Sequence, residues 1–190
     1  MDDLALNRIY TLADYLTWDE GEHIELIEGE PVRRPTPLRV HQEVLRELFG
    51  HLMNHLRGKS CKVYMGPLAV RLFERDNDLP EQVDTVVEPD ISVVCDPAKL
   101  DRIGCKGAPD LIMEILSPST RRHDKARKLN LYQRAGVKEY WIVDPDNKDV
   151  QVFLLKDGNY IIQAFGEPGD TLPVNVLPGC TIDLAAVFSE

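Results

Sequence analysis

Apolar and polar positions along this chain follow two periods. From Leu38 to Leu56 the apolar residues Val44, Leu45, Leu48, Phe49, Leu52 and Leu56 step by three and four, which predicts an amphipathic helix. A second helix is predicted over roughly 121–135, with Ser117-Pro118-Ser119-Thr120 ahead of it and Gly136 as the residue after its end. A short one opens at Thr11, a fitting N-cap with Asp14 three residues on. Strand-like runs fall at 24–27, 62–73, 86–94, 110–116 and 139–143. The first is followed by a turn near Glu28-Gly29 and a second strand. The 62–73 run breaks at Gly66-Pro67. A hairpin is predicted around Asp157-Gly158, between 149–155 and 160–165. Residues 33–37 read as a Pro-rich loop, 76–84 as an acidic loop and 96–107 as a polar connection. The tail, 172–188, reads as short extended and turn elements. These elements make one α/β unit, and the 190 residues are read as a single domain, 1–190.

Two of the predicted strands carry carboxylates where apolar residues are expected. Asp90 lies in Val-Glu-Pro-Asp-Ile-Ser-Val-Val and Glu114 in Pro-Asp-Leu-Ile-Met-Glu-Ile-Leu. A buried, unpaired carboxylate costs several kcal/mol, so such residues need a partner. Two of them on neighbouring strands, with a lysine close by, are what a Mg²⁺-dependent phosphodiesterase requires. The helix that follows supplies the lysine. At 100° per residue Asp124, Lys128, Leu131 and Ala135 fall within about 60° of one another, with Tyr132 bordering that side. Arg127 and Arg134 lie on the other. Lys128 has two readings. It snorkels past a core edge or pairs with Asp124, or its ammonium points at the strand end that bears Glu114.

Charge adds a second hint. The net charge is −10, yet between Arg121 and Lys138 there are seven Lys/Arg and one acid. Arg121, Arg122, Lys125 and Arg127 are therefore candidates for contact with a phosphate backbone, against the plainer reading of a solvated helix face. No apolar stretch approaches about 18 residues, and the N-terminus has no signal-peptide pattern. No membrane partner and a cytoplasmic location are the expectations. The four cysteines form no Cys-x-x-Cys pair, so neither a zinc site nor a disulfide framework is expected. Cys61 and Cys95 are read as small core residues. Asp110 sits on the same side of its strand as Glu114 but roughly 13 Å away, and ranks below Asp90 as a ligand. Asp144 and Asp146 are turn formers. His23, His51 and His55 show no metal spacing with cysteine partners, and no acidic set joins the i, i+4 pair His51 and His55.

These segments carry a resemblance. Ile24-Glu-Leu-Ile-Glu-Gly-Glu, the His41 helix, Glu88-Pro-Asp-Ile-Ser-Val-Val and Pro109-Asp-Leu-Ile-Met-Glu-Ile-Leu-Ser-Pro-Ser come first. Asp124-x-x-x-Lys128-x-x-x-Tyr132, Gly136-Val-Lys-Glu-Tyr-Trp-Ile-Val-Asp-Pro and Leu177-Pro-Gly-Cys-Thr-Ile-Asp-Leu follow in order. Together they resemble the Uma2 family, restriction-endonuclease-like proteins related to the PD-(D/E)xK nucleases. The resemblance implies a central mixed β-sheet flanked by helices, with additional β-hairpins. It implies cleavage of DNA with Mg²⁺, for which Mn²⁺ can substitute, and a homodimer suits cutting of both strands. By position Asp90 and Glu114 resemble the family's metal ligands. The lysine position after Glu114 is Leu116, so the resemblance nominates Lys128 on the next helix. Glu25 matches an early family glutamate and is a further candidate metal ligand. His41 matches the histidine that begins the first long helix; the plainer reading is a hydrogen-bonded core residue. Glu43 is a weaker acidic candidate, and Asp124 and Tyr132 complete the candidate set. The alternative is a non-catalytic module of the same fold that binds nucleic acid or protein.

Overall fold

The two most apolar runs form the centre of the molecule, as expected for strands covered on both faces. The structure, a computed structural model, describes residues 8–19, 21–117 and 123–189, with side chains from residue 126 onward in the last segment. In chain order the elements are α1 (Leu12–Tyr15), β1 (Ile24–Ile27), β2 (Glu30–Arg33), α2 (Arg39–Leu56), β3 (Lys62–Met65), β4 (Ala69–Arg71), β5 (Ile91–Val94), β6 (Gly104–Lys106) and β7 (Leu111–Ile115). They continue with α3 (His123–Ala135), β8 (Glu139–Asp144), β9 (Asp149–Lys156), β10 (Asn159–Gly166), β11 (Thr171–Pro173), β12 (Thr181–Asp183) and α4 (Leu184–Val187). Every residue of β7 and β8 is buried. They pair in parallel, which requires a crossover, and α3 supplies it. The strand order is β10-β9-β8-β7-β5-β3, with the other neighbours antiparallel, so the main sheet is mixed.

Period-two alternation decides which face each residue serves. Leu111, Met113 and Ile115 of β7, with Trp141 and Val143 of β8, pack with Val44, Leu45, Leu48 and Leu52 of α2. Ile112, Tyr140 and Ile142 face the other way and pack with Leu131 and Tyr132 of α3. Glu114 has the parity of Ile112, so β7 presents it toward α3. Gly136 follows α3 with φ +87°, the left-handed position that favours glycine. Both expected tight turns form. Glu28-Gly29 and Asp157-Gly158 have positive φ at each central residue, the type I′ geometry that suits hairpins.

Three expectations change. The 86–94 run is not one strand. Pro89 has no N–H to donate, and β5 begins only at Ile91; Val86 and Val87 instead make isolated bridges to Leu26 and Val70. The 96–107 connection contains β6, which pairs in parallel with β4. Its three residues, one of them glycine, are too few to show a period. Cys61 and Cys95 are bonded to each other as a disulfide, not separate core thiols. They stand one position beyond the Lys62–Val94 pair of the β3–β5 ladder, so register brings them together. Cys105 and Cys180 are free and buried. No helix among the described residues is long and apolar enough to cross a membrane.

Candidate metal and nucleic-acid site

Asp90 lies immediately before β5, and its carboxylate is held from three sides. Oδ2 accepts the Ile115 amide at 2.8 Å and faces His41 Nε2 at 3.2 Å, and Oδ1 accepts Arg34 at 2.7 Å. Burial alone would raise its pKa. The His41 hydrogen bond, the Arg34 and His41 charges and the Ile115 amide outweigh that and hold it at about 2. Since Asp90 is ionised, His41 Nε2 carries the proton and donates it.

Glu114 stands where β7 faces α3. Its Oε1 accepts both Lys128 Nζ, at 2.9 Å, and the Tyr132 hydroxyl, at 2.6 Å; neither bond uses Oε2. Lys128 also donates to Glu25 Oε1 at 3.0 Å, and that oxygen accepts the Glu88 amide at 2.9 Å. Glu25 is buried because all of β1 is buried. The lysine is 7% exposed, so it does not snorkel to solvent; it points at the strand end. Burial, with Asp90 and Glu25 adding to it, pushes the Glu114 carboxyl above its ordinary value despite Lys128 and Arg34. Burial would also raise Glu25, but Lys128, Arg34 and the Glu88 amide pull it below. Burial would lower Lys128, yet the two glutamates outweigh it and raise it, so it remains an ammonium. Burial and the same carboxylates lift Tyr132 well above its usual value, so it stays a donor.

These groups share a cavity of about 240 Å³, lined among others by Glu25, Arg34, His41, Asp90, Glu114, Lys128 and Tyr140. The sequence pattern had already singled out Asp90, Glu114, Lys128 and Tyr132, and the family resemblance had added Glu25 and His41. Three partners escaped that reading. Arg34 belongs to the Pro-rich loop after β2, and it bridges Asp90 and the Glu88 carbonyl. Glu88 accepts the Tyr15 hydroxyl at 2.7 Å. The Glu88 signal was present in the sequence, since residues two apart on an extended chain lie on one side. Loop residue Arg34 had no period to betray it.

Other candidates stand apart. Glu43 pairs with Arg39 on an exposed stretch of α2. Arg127 donates to Glu30 at 2.7 Å and to the Ile27 carbonyl, so it ties α3 to the β1–β2 hairpin. Arg121 and Arg122, residues 118–120 of the segment ahead of the helix, and the side chains of Asp124 and Lys125 lie outside the described residues. Asp110 is taken up by Lys138 at 2.6 Å and the Cys95 amide at 2.8 Å. Asp144 accepts the Asp146 and Asn147 amides, as a turn former does.

Buried carboxylate oxygens are the donor type that a hard divalent cation takes, and Glu114 Oε2 is engaged by neither Lys128 nor Tyr132. Glu88 Oε2 and His41 Nδ1 are also buried with no hydrogen-bond partner among the described residues.

Comparison with known proteins bears on the fold and the family. A protein from Anabaena variabilis, whose crystal structure is described as that of "a putative nuclease belonging to DUF820", superposes with a TM-score of 0.72. It is 22% identical and the match covers 94% of this chain and 97% of that one, so the likeness is one of fold. An uncharacterized protein of Synechocystis, slr1290, is 26% identical over 153 residues, 78% of this chain and 76% of the relative. The family model Uma2, described as "Putative restriction endonuclease", matches residues 12–185, most of the chain. The fold is that of the restriction-endonuclease-like proteins, and the chain belongs to the Uma2 family.

Proposed function

We propose that this protein is a Mg²⁺-dependent endonuclease that hydrolyses DNA phosphodiester bonds, with Asp90 and Glu114 as metal ligands and Glu25 as a third. The observation that carries the reading is Lys128: a buried ammonium 2.9 Å from Glu114 and 3.0 Å from Glu25, in a cavity that also takes in Asp90. A bound metal would polarise the scissile phosphate and acidify a water. Lys128 keeps its proton between two carboxylates, so its role is to offset charge growing on the phosphoryl oxygens rather than to act as a base. Tyr132 and Lys128 together fix one oxygen of Glu114, which orients the carboxylate. His41 and the Ile115 amide do the same for Asp90. Mn²⁺ should substitute for Mg²⁺, because the same oxygen donors serve both. Arg121, Arg122 and Lys125 are proposed to hold the flanking backbone. A homodimer would place two such sites on a duplex.

The test is cleavage of plasmid and single-stranded DNA by purified protein with and without Mg²⁺. Cleavage should need the metal and should vanish in Asp90→Ala and Glu114→Ala. Lys128→Ala should lose roughly 10²–10³-fold. Cleavage that persists in Asp90→Ala sinks the proposal. One observation favours the second reading, a non-catalytic module of the same fold. Among the described residues no three His, Cys, Asp or Glu side chains are grouped so as to hold a metal. Calorimetric titration with Mn²⁺ separates the two readings, since the module predicts no binding by wild type or Glu114→Ala.

A further inference from the structure

The cation nearest to Asp90 is one the nuclease scheme does not use. Arg34 Nη2 lies 2.7 Å from Asp90 Oδ1, and its other terminal nitrogen donates to the Glu88 carbonyl. The guanidinium also feels the Glu114 and Glu25 carboxylates, which raise it against the cost of burial. So Arg34 stands among the same three carboxylates that a divalent cation would need. Lys128 engages Glu25 and Glu114 but not Asp90, whose oxygens are divided between Arg34 on one side and His41 with the Ile115 amide on the other. A cation that ligates Asp90 through Oδ1 has to displace Arg34 or share the oxygen with it. Two like charges on one oxygen repel strongly in a buried setting.

The rest of the residue is arranged for exchange. The backbone is anchored, with the Arg34 amide donating to the His23 carbonyl at 2.7 Å. The side chain is 22% exposed against 6% for Asp90, and Arg34 lines the cavity. Rotation of the side chain, with loss of its bonds to Asp90 and the Glu88 carbonyl, would carry the guanidinium into the cavity that it lines. A phosphodiester entering there is a bidentate partner that matches the guanidinium fork.

We infer that Arg34 is a built-in competitor of the divalent cation for Asp90, one that an entering phosphodiester draws away, so that metal binding and nucleic-acid binding strengthen each other. This rests on the metal-site reading proposed above. It gives Arg34 a positioning role, and it makes a prediction opposite in sign to a merely structural one. If Arg34 only steadied the carboxylates, removing it would weaken metal binding. A competitor, once removed, leaves the metal better bound.

The experiment is Mn²⁺ titration by calorimetry, with near-ultraviolet circular dichroism as the check on folding. Arg34→Met should bind Mn²⁺ at least about tenfold more tightly than wild type. Arg34→Gln makes the same test should the methionine variant fail to fold. Arg34→Lys keeps the charge and should stay within about threefold of wild type, if charge is what competes. A short phosphorothioate DNA strand should tighten Mn²⁺ binding in wild type and have little effect in Arg34→Met, because coupling is reciprocal. Equal or weaker Mn²⁺ binding in folded Arg34→Met and Arg34→Gln overturns the inference while leaving the metal site standing. No binding by wild type or any Arg34 variant, with or without the strand, overturns the metal-site reading and this inference together.

Discussion

Lys128 is bonded to two carboxylates that are each almost fully buried, and this makes it the residue on which the site's stability turns. Lys128→Met leaves Glu25 and Glu114 without the cation that is hydrogen-bonded to both. It should cost about 3–5 kcal/mol of stability in urea denaturation, the usual penalty for breaking a buried ion pair from one side. Tyr132→Phe removes a single hydrogen bond to Glu114 and should cost about 1–3 kcal/mol. Asp90 sets a pH dependence. Its pKa falls from 3.8 to about 2 on folding, so its contribution is present above 3.8 and is lost as the pH falls toward 2. That contribution is on the order of 2 kcal/mol. Glu114 acts with the opposite sign: raised on folding, it favours the fold at low pH and loses that advantage as pH rises past its ordinary value. Denaturation curves of wild type and Asp90→Asn across pH 2–5 should show the acid-side slope flattened in the variant. At this scale the sequence was informative wherever a period existed. Lys128 was legible because helical geometry put it on the docking face with Leu131. Arg34 was not, because a loop after a hairpin has no period from which to infer a direction.

Elements place these residues through parity and register. Glu114 reaches α3 because it shares a face with Ile112, and the parallel β7–β8 pair forces α3 to cross over that face. Pro89 ends the extended run before Asp90 and so puts Asp90 at the start of β5, level with the end of β7 where the Ile115 amide meets it. The β3–β5 ladder has a further consequence in the Cys61–Cys95 bond, which closes 34 residues of chain. Reducing it should lower stability by roughly 2–4 kcal/mol. Peptide mapping without reductant should find the two cysteines linked, and thiol titration of the unfolded, unreduced protein should find Cys105 and Cys180 alone. Four reactive thiols would contradict the pairing. Hairpins and long helices were legible from turn residues and apolar steps. The disulfide and the β4–β6 pair were not, since both join segments far apart in sequence whose meeting is set by how the sheet is assembled.

Over the whole molecule the charge is −10, and the basic residues of 121–138 are set against an acidic body. DNA binding by such a molecule has to come from local contacts and should weaken steeply as salt rises. Each of Arg121→Ala, Arg122→Ala and Lys125→Ala should lower the slope of log affinity against log salt by about 1 if its side chain contacts a phosphate. Arg127→Ala should change that slope least, because Arg127 is already paired with Glu30. Fluorescence anisotropy with a labelled duplex at several salt concentrations measures all four.

The sequence by itself determined the class of the fold, the two central strands, the long helices and the side chains that had to be exceptions within them. Those follow from local physics: apolar period, turn geometry and the cost of burying a carboxylate without a partner. Only the tertiary structure decided which oxygen each cation holds, that Arg34 rather than Lys128 sits on Asp90, and that Cys61 meets Cys95. Most of these choices depend on distances between segments far apart along the chain, by 34 residues for Cys61–Cys95, 56 for Arg34–Asp90 and 103 for Glu25–Lys128. Packing sets those distances, and no local pattern encodes them.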